Sequence, residues 1–165
     1  MIKTSYAELE NCVINDKAVD IAIPLIVASE GFKAKAYKCP AGVWTVGYGR
    51  TGADVTEKTV TTREAEDKWL RAKIDGMCSY VRQKALNTEI GQNLKDNQVA
   101  ALVSLLYNIG EGNFKSSGVR RNLLLGKVPE AVACWLKWNK GGGVVLAGLV
   151  RRRAVEVALF QKPEA

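Results

Sequence analysis

The segment EGFKAKAYKCPAGVWTVGYG, residues 30–49, predicts the end of a helix followed by a β-hairpin. The apolar positions before it indicate a helix from about residue 17, and Gly31 directly after Glu30 is the residue expected where such a helix ends in a left-handed turn. Residues 40–42, Pro-Ala-Gly, predict the turn between a short strand and a second strand rich in β-branched and aromatic residues. Glu30 is therefore predicted to stand at a helix C-terminus.

The second strand of this hairpin carries Thr45 and Gly47 on one face, because side chains alternate between the two faces of a strand. Since glycine has no side chain, this spacing predicts room beside Thr45 for a ligand. The alternative interpretation is that the hairpin is only a small sheet with a closely packed edge and binds no ligand.

Beyond residue 60 the patterns predict helices. They are expected from Thr61 to about Ala85, from Asn97 to about Ile109 with Asp96 as the cap, from Ser117 to Leu125, from Pro129 to Trp138, and from about Leu149 to Phe160. The second of these is apolar nearly all round, as a central buried helix would be, whereas Glu66 in the first is expected in solvent. We therefore expect a mostly helical α+β fold in a single domain, 1–165, with a small hairpin lobe (about 18–60), a larger helical lobe (about 61–165) and a cleft between them.

The composition excludes several kinds of chemistry. The 165 residues contain no histidine, which excludes Ser-His-Asp triads, Cys-His dyads and His-ligated metal sites. The four cysteines form no C-x-x-C pair, so we expect unpaired thiols and neither a metal nor a cofactor. The net charge of +7 favours a polyanionic partner, which is nucleic acid, a membrane surface or a bacterial wall.

The early residues predict neither a secretory signal nor a membrane span. Residues 1–10 lack a positive region followed by an apolar one. The apolar stretch 21–28 is interrupted by Pro24 and is far shorter than the roughly 20 residues that a membrane span needs. We therefore expect a cytosolic product with no stable membrane anchor.

Glu30 is the candidate general acid. A lone glutamate before a glycine is usually a solvated surface residue, but this one lies at the negative end of a helix dipole and follows an apolar run, and both features favour the protonated acid. A protonated carboxyl can protonate a glycosidic oxygen. In inverting hydrolysis a second group, roughly 6.5–9.5 Å away, must orient the attacking water, and the hairpin offers Cys39 and Thr45.

Residues 30–49 resemble the catalytic segment of the phage-type lysozymes, the endolysins that cut peptidoglycan. The signature of that family is a Glu, eight residues, an Asp or sometimes a Cys, five residues and a Thr, and Glu30, Cys39 and Thr45 fit this spacing. Residues 107–114 (YNIGEGNF) and 148–153 (GLVRRR) resemble two further segments of the family, in the right order. The resemblance extends from about residue 18 to about residue 160.

This resemblance implies a lysozyme-like fold and hydrolysis of the β-1,4 bond between N-acetylmuramic acid and N-acetylglucosamine in peptidoglycan, for host cell lysis. It implies that Glu30 is the general acid, that Thr45 helps to hold the attacking water, and that Cys39 stands where most members have Asp. It places substrate contacts on Tyr48, Tyr107, Asn108 and Ser117. One of the three arginines at 151–153 is a candidate to orient Glu30 across the cleft.

The resemblance also implies where the protein acts. Without a signal, the enzyme would be made in the host cytoplasm and would reach the wall in the periplasm after release through holin lesions. We expect it to act as a monomer.

Cys39 leaves two interpretations open. A thiol with a pKa of about 8.5 is mostly neutral at neutral pH, so Cys39 would activate water as a thiolate and the activity would be sensitive to oxidation. Alternatively, Cys39 is a small turn residue, and Thr45 with solvent does the remaining work.

Two rival functions are a catalytically inactive peptidoglycan-binding module and a nucleic-acid-binding protein. Against the second, the positive residues are spread along the chain, and neither a helix-turn-helix nor an RNP-like string is evident.

Overall fold

The computed structural model describes residues 16–163, and the first element is α1 (Lys17–Glu30). The carboxylate of Asp16 accepts the backbone N–H of Ala18 at 3.0 Å and so caps the start of this helix. The helix ends at Gly31, whose φ of 68° lies in the left-handed region that favours glycine. Both predicted ends of the helix are therefore confirmed.

The predicted hairpin is also confirmed. β1 (Lys33–Lys38) and β2 (Trp44–Gly47) pair antiparallel, and Tyr37 lies opposite Thr45. The pairing is irregular between Lys33 and Tyr37, where a bulge shifts the register.

The remaining elements complete a mostly helical α+β fold. They are α2 (Arg63–Tyr80), continued by a π-helical turn at Val81–Ala85, α3 (Thr88–Asn93), α4 (Asp96–Ile109), α5 (Glu111–Ser116), α6 (Gly118–Leu124), α7 (Val128–Leu136), β3 (Lys140–Gly141), β4 (Val144–Val145) and α8 (Ala147–Gln161). The short helices α3 and α5 were not predicted. β3 and β4 pair antiparallel around residues 142–143.

Several helix starts differ from the predictions by one or two residues. Thr62, not Thr61, caps α2, because its hydroxyl accepts the N–H of Ala65 at 3.2 Å. Asp96 is the first residue of α4 rather than its cap, and its carboxylate pairs with Arg82 at 2.6 Å.

The central helix of the fold is α4. Every residue from Val99 to Leu106 is buried, as the sequence predicts, and α4 packs against both α1 and α8. Burying one large aliphatic side chain contributes about 1.5–3 kcal/mol, so this apolar helix is a strong determinant of how α1 and α8 are placed. No helix in residues 16–163 is long and apolar enough to cross a bilayer.

The expectation that Glu66 lies in solvent is wrong. Its carboxylate is buried and accepts hydrogen bonds from Arg50 Nη2 and Thr61 Oγ1, both at 2.8 Å. A Cβ atom on Gly47 would lie 2.3 Å from Glu66 Oε2. The space that the sequence assigns to a ligand beside Thr45 is therefore filled by the Glu66 side chain, which joins α2 to the hairpin.

Candidate active site

Glu30 stands at the point where α1, α4 and α8 meet the hairpin. One carboxylate oxygen, Oε1, accepts a hydrogen bond of 2.6 Å from Arg152 Nη1. The other oxygen, Oε2, faces Gly49, where an added Cβ would lie 3.7 Å from Oε2 and 4.0 Å from the Tyr107 hydroxyl. Gly49 has a φ of 95°, so the chain approaches the acid through a conformation that favours glycine.

Arg152 is buried, and its guanidinium is fixed on three sides. Besides Glu30, it donates from Nη2 to the Ser104 carbonyl at 3.1 Å and from Nε to Glu156 Oε1 at 3.2 Å. The interpretation that one of the arginines at 151–153 orients Glu30 is therefore confirmed for Arg152.

Tyr107 and Tyr48 form the wall behind the acid. The Tyr107 hydroxyl donates to the Tyr48 carbonyl at 2.7 Å. Burial raises the pKa of Tyr107, and the negative charge of Glu30 raises it further. Tyr107 therefore stays a neutral hydrogen-bonding phenol beside the carboxylate.

The side chain of Tyr48 is not open to a substrate. The residue is only 2% exposed, its ring packs 5.4 Å from that of Phe32, and its hydroxyl donates to Asp67 Oδ1 at 2.6 Å and accepts from Arg63 Nη1 at 3.2 Å. The prediction of a substrate contact at Tyr48 is corrected accordingly, since only its backbone carbonyl, already paired with Tyr107, reaches the site.

Cys39 and Thr45 lie side by side on the hairpin. Hydrogen bonds from the backbone of Val43 and Ala41 lower the pKa of the Cys39 thiol, and the Thr45 side chain lowers it further. Thr45 is buried, and its hydroxyl also donates to the Val43 carbonyl at 3.0 Å. A larger fraction of Cys39 is therefore thiolate than for a free cysteine in water.

Tyr37 is a site residue that the sequence interpretation missed. Burial raises the pKa of its phenol, and the charges of Glu30 and Cys39 both raise it further. It pairs with Thr45 across the hairpin. The register of the hairpin could have indicated this residue, because it places position 37 opposite position 45.

The structure separates Asn108 from Ser117. Asn108 is exposed, and its Oδ1 accepts a hydrogen bond of 3.0 Å from Arg153 Nη2. Ser117 is buried instead, donates to the Phe114 carbonyl at 2.7 Å and caps α6 by accepting the N–H of Arg120 at 3.1 Å. The predicted substrate contact at Ser117 is corrected, because its hydroxyl is engaged in the helix cap.

Two cavities adjoin this cluster. One, of about 620 Å³, is lined by Glu30, Asn108, Leu149, Arg151 and Arg152 among others. The second, of about 550 Å³, is lined by Gly49, Thr51, Trp69, Lys73, Tyr80 and Tyr107 among others. Both volumes lie in the range of small-molecule sites, and Glu30 with its neighbour Tyr107 links them.

The chain resembles known proteins over most of its length. Residues 27–156 match the model of the phage lysozyme family. The chain is 41% identical over 140 residues, 84% of its length, to an endolysin of Bacillus phage PZA, and 38% identical over 141 residues to an endolysin of Acyrthosiphon pisum secondary endosymbiont phage 1, covering 83% of this chain and 92% of that relative. It spans about half the length of the Bacillus phage relatives that it matches.

The fold also has solved counterparts. The muramidase domain of SpmX from Asticaccaulis excentricus superposes with a TM-score of 0.74 at 35% identity, covering 89% of this chain and 96% of that one. The fold is therefore lysozyme-like, as the resemblance implies. On the family match and these identities, the chain belongs to the phage lysozyme family.

Proposed function

We propose that this protein is a phage endolysin with muramidase activity, which hydrolyses the β-1,4 bond between N-acetylmuramic acid and N-acetylglucosamine in peptidoglycan. The family membership and the endolysin and muramidase names of the relatives support this activity. The observation that carries it is the position of Glu30, which lines a cavity while Arg152 binds one of its oxygens and Gly49 lies beside the other. The comparisons do not support the alternative of an inactive wall-binding module.

Glu30 acts as the general acid in this proposal. It donates its proton to the bridging oxygen as the glycosidic bond breaks. Arg152 donates a hydrogen bond to one oxygen of this carboxyl and thereby orients the acid.

Residues of the hairpin orient the attacking water on the opposite face of the sugar. Thr45 and Cys39 lie next to each other on the hairpin, and the lowered pKa of Cys39 increases the fraction of thiolate at neutral pH, which is the form that can accept a proton. Tyr37 lies opposite Thr45 in the hairpin and is placed to hydrogen-bond the sugar or the water.

Substrate contacts fall on Tyr107 and Asn108. Both line a cavity next to Glu30, one on each side of the acid. Tyr48 and Ser117 contribute only indirectly. The Tyr48 carbonyl accepts the hydrogen bond of the Tyr107 hydroxyl, and Ser117 caps α6. The proposal needs neither a metal nor a cofactor, since the groups described carry both proton transfers.

The biological setting follows from the family and is part of the proposal. The protein is made in the phage-infected host, leaves the cytoplasm through holin lesions and acts as a monomer on the wall in the periplasm. The net charge of +7 suits an anionic wall polymer. The proposed partner is peptidoglycan rather than nucleic acid.

A turbidity assay tests this function. Chloroform-treated Gram-negative cells should clear with the wild-type protein and not with Glu30→Gln, which keeps the size of the side chain but has no acidic proton. Mass spectrometry of the digest should show reducing N-acetylmuramic acid ends. Anhydro ends would instead indicate lyase chemistry, and clearing by Glu30→Gln would contradict the role of Glu30.

A further inference from the structure

Glu156 is a fully buried carboxylate on α8 that the proposed function leaves unused. It is 0% exposed. Its Oε1 accepts from Ser104 Oγ at 2.7 Å, from Arg152 Nε at 3.2 Å and from Arg153 Nη2 at 3.0 Å, and its Oε2 accepts from Trp135 Nε1 at 2.9 Å. An ion pair of 2.9 Å also joins Oε2 to Arg153 Nε. A buried charge is kept only where partners compensate it, and this one has donors from three helices.

Arg152 connects this buried carboxylate to Glu30. Its guanidinium is planar and rigid, so the acceptor of Nε also determines the direction in which Nη1 points. Glu156 holds Nε, the Ser104 carbonyl holds Nη2, and Glu30 receives Nη1. The orientation of the Glu30 side chain therefore depends on Glu156, which does not itself contact the cleft acid.

The charges of this cluster also balance. The two positive charges of Arg152 and Arg153 are compensated by the two negative charges of Glu30 and Glu156. Without Glu156, two guanidinium groups would act on Glu30 alone and would hold it in the ionised form, which cannot donate a proton.

We propose that Glu156 is a positioning residue for the acid. Glu156 directs the Arg152 guanidinium toward Glu30, and its negative charge offsets enough of the positive charge of Arg152 for Glu30 to be protonated. This inference rests on the proposed function. Within the described residues, the charged and titratable groups that act on Glu30 are Arg152 and Arg153 from α8, Tyr107 from α4 and Tyr37 from β1, and Arg151 lines the same cavity. Those facing Glu156 are Arg152 and Arg153, and its other two donors, Ser104 and Trp135, are neutral.

The test is the pH profile of kcat/KM for Glu156→Gln on purified peptidoglycan. Glutamine keeps the shape and can still accept from Ser104, but it removes the charge. The alkaline limb, which reports loss of the general acid proton, should move to lower pH by about one unit, while the rate on the acid side of the limb falls only a few fold. An unmoved limb, with activity lowered equally at every pH, would overturn the proposal and leave Glu156 a structural residue.

Two further variants separate charge from folding. Glu156→Asp keeps the charge but is one methylene shorter, so its limb should stay at the wild-type pH while kcat falls and KM changes little. Glu156→Asp also tests the proposal if Glu156→Gln does not fold. A shift of the alkaline limb in Glu156→Asp would overturn the charge argument. Asp16→Asn removes a partner of Arg82 far from Glu30 and should lower stability without moving the limb.

The outcome is distinct from a failure of the proposed function. If the wild-type protein does not cleave peptidoglycan, or if Glu30→Gln is as active as wild type, both proposals fail. If the wild-type protein is active through Glu30 and only the Glu156→Gln limb stays in place, the role of Glu156 alone is overturned.

Discussion

The hydroxyl of Tyr107 donates a hydrogen bond of 2.7 Å to the backbone carbonyl of Tyr48, and this bond ties the central helix α4 to the hairpin beside Glu30. The two residues are 59 positions apart in the chain, so the bond is a tertiary contact rather than a local one. In the proposed function it joins the two parts of the fold that hold opposite faces of a sugar.

Tyr107→Phe should therefore affect both stability and activity. Removing the hydroxyl leaves the Tyr48 carbonyl without its donor and should lower the free energy of unfolding by about 1 kcal/mol. kcat/KM should fall several fold, because the wall behind Glu30 loosens. Urea denaturation and the peptidoglycan assay measure the two effects. Tyr48→Phe removes a hydroxyl bound to Asp67 instead and should retain activity; a larger loss of activity there than in Tyr107→Phe would contradict this assignment.

Arg152→Lys should be strongly impaired although it keeps the positive charge. An ammonium group cannot reach three acceptors in the fixed directions of a guanidinium, so the carboxylate of Glu156 loses part of its compensation. We expect a loss of about 2–4 kcal/mol in the free energy of unfolding and a fall in kcat.

Arg71→Lys is the matched control for that substitution. Arg71 pairs with Asp20 at the surface, where both side chains are about half exposed. Its replacement should change stability by less than about 0.5 kcal/mol and leave kcat unchanged. Equal effects of the two substitutions in thermal denaturation would refute the role given to Arg152.

The Cys39 thiol should react before that of Cys78. Its pKa is lowered by backbone hydrogen bonds, whereas burial raises the pKa of Cys78 to about 12. Iodoacetamide at neutral pH should therefore label Cys39 and spare Cys78, with loss of activity in proportion to labelling, and mild peroxide should inactivate in the same way. Peptide mapping by mass spectrometry gives the site and its extent.

Substitutions at Cys39 decide between its two interpretations. If the sulfur activates water, Cys39→Asp should retain activity, because a carboxylate is also ionised at neutral pH, whereas Cys39→Ser should lose most of it. Full activity of Cys39→Ser would show that the residue serves only the turn.

Part of the stability of the fold should disappear in acid. Burial alone would raise the pKa of Asp16, but hydrogen bonds from Arg82 and Ala18 and the charge of Arg82 outweigh it, and the net pKa lies below its ordinary value of 3.8. A carboxyl with a lowered pKa in the folded state stabilises the protein above its unfolded pKa and loses this contribution as the pH falls through the folded value.

The comparison of wild type with Asp16→Asn measures this contribution. Asparagine can still cap α1, so the substitution removes mainly the ion pair with Arg82. We expect a difference of about 1 kcal/mol at pH 7 that shrinks as the pH falls below 3.8 and through the lowered pKa of the folded state. A difference that persists unchanged in urea denaturation at low pH would rule out the ion pair as its source.

Features that depend on neighbours in the chain could be predicted from the sequence. The end of α1 at Gly31 depends on one residue, the hairpin on a turn and two short strands, and the burial of α4 on its uniformly apolar pattern. The position of Glu30 follows from the first of these, so the candidate acid could be located without coordinates.

Features that depend on distant pairing could not be predicted. Glu66 was expected in solvent because its helix position is polar, yet Arg50 and Thr61 reach it from the loops before α2. Ser117 was expected at the substrate because the family pattern covers it, yet it caps a helix whose start the sequence placed one residue early. The direction in which Arg152 points likewise required the packing of α8 on α4.

The pair of Glu30 and Arg152 spans 122 positions, from α1 to α8. A ribosome must therefore release α8 as far as Arg152 before the candidate acid acquires its partner, so the emerging polypeptide has no oriented acid until that part of α8 is made. Shortened translation products that stop before residue 152 would lack this partner altogether, which couples the assembly of the candidate site to the synthesis of α8.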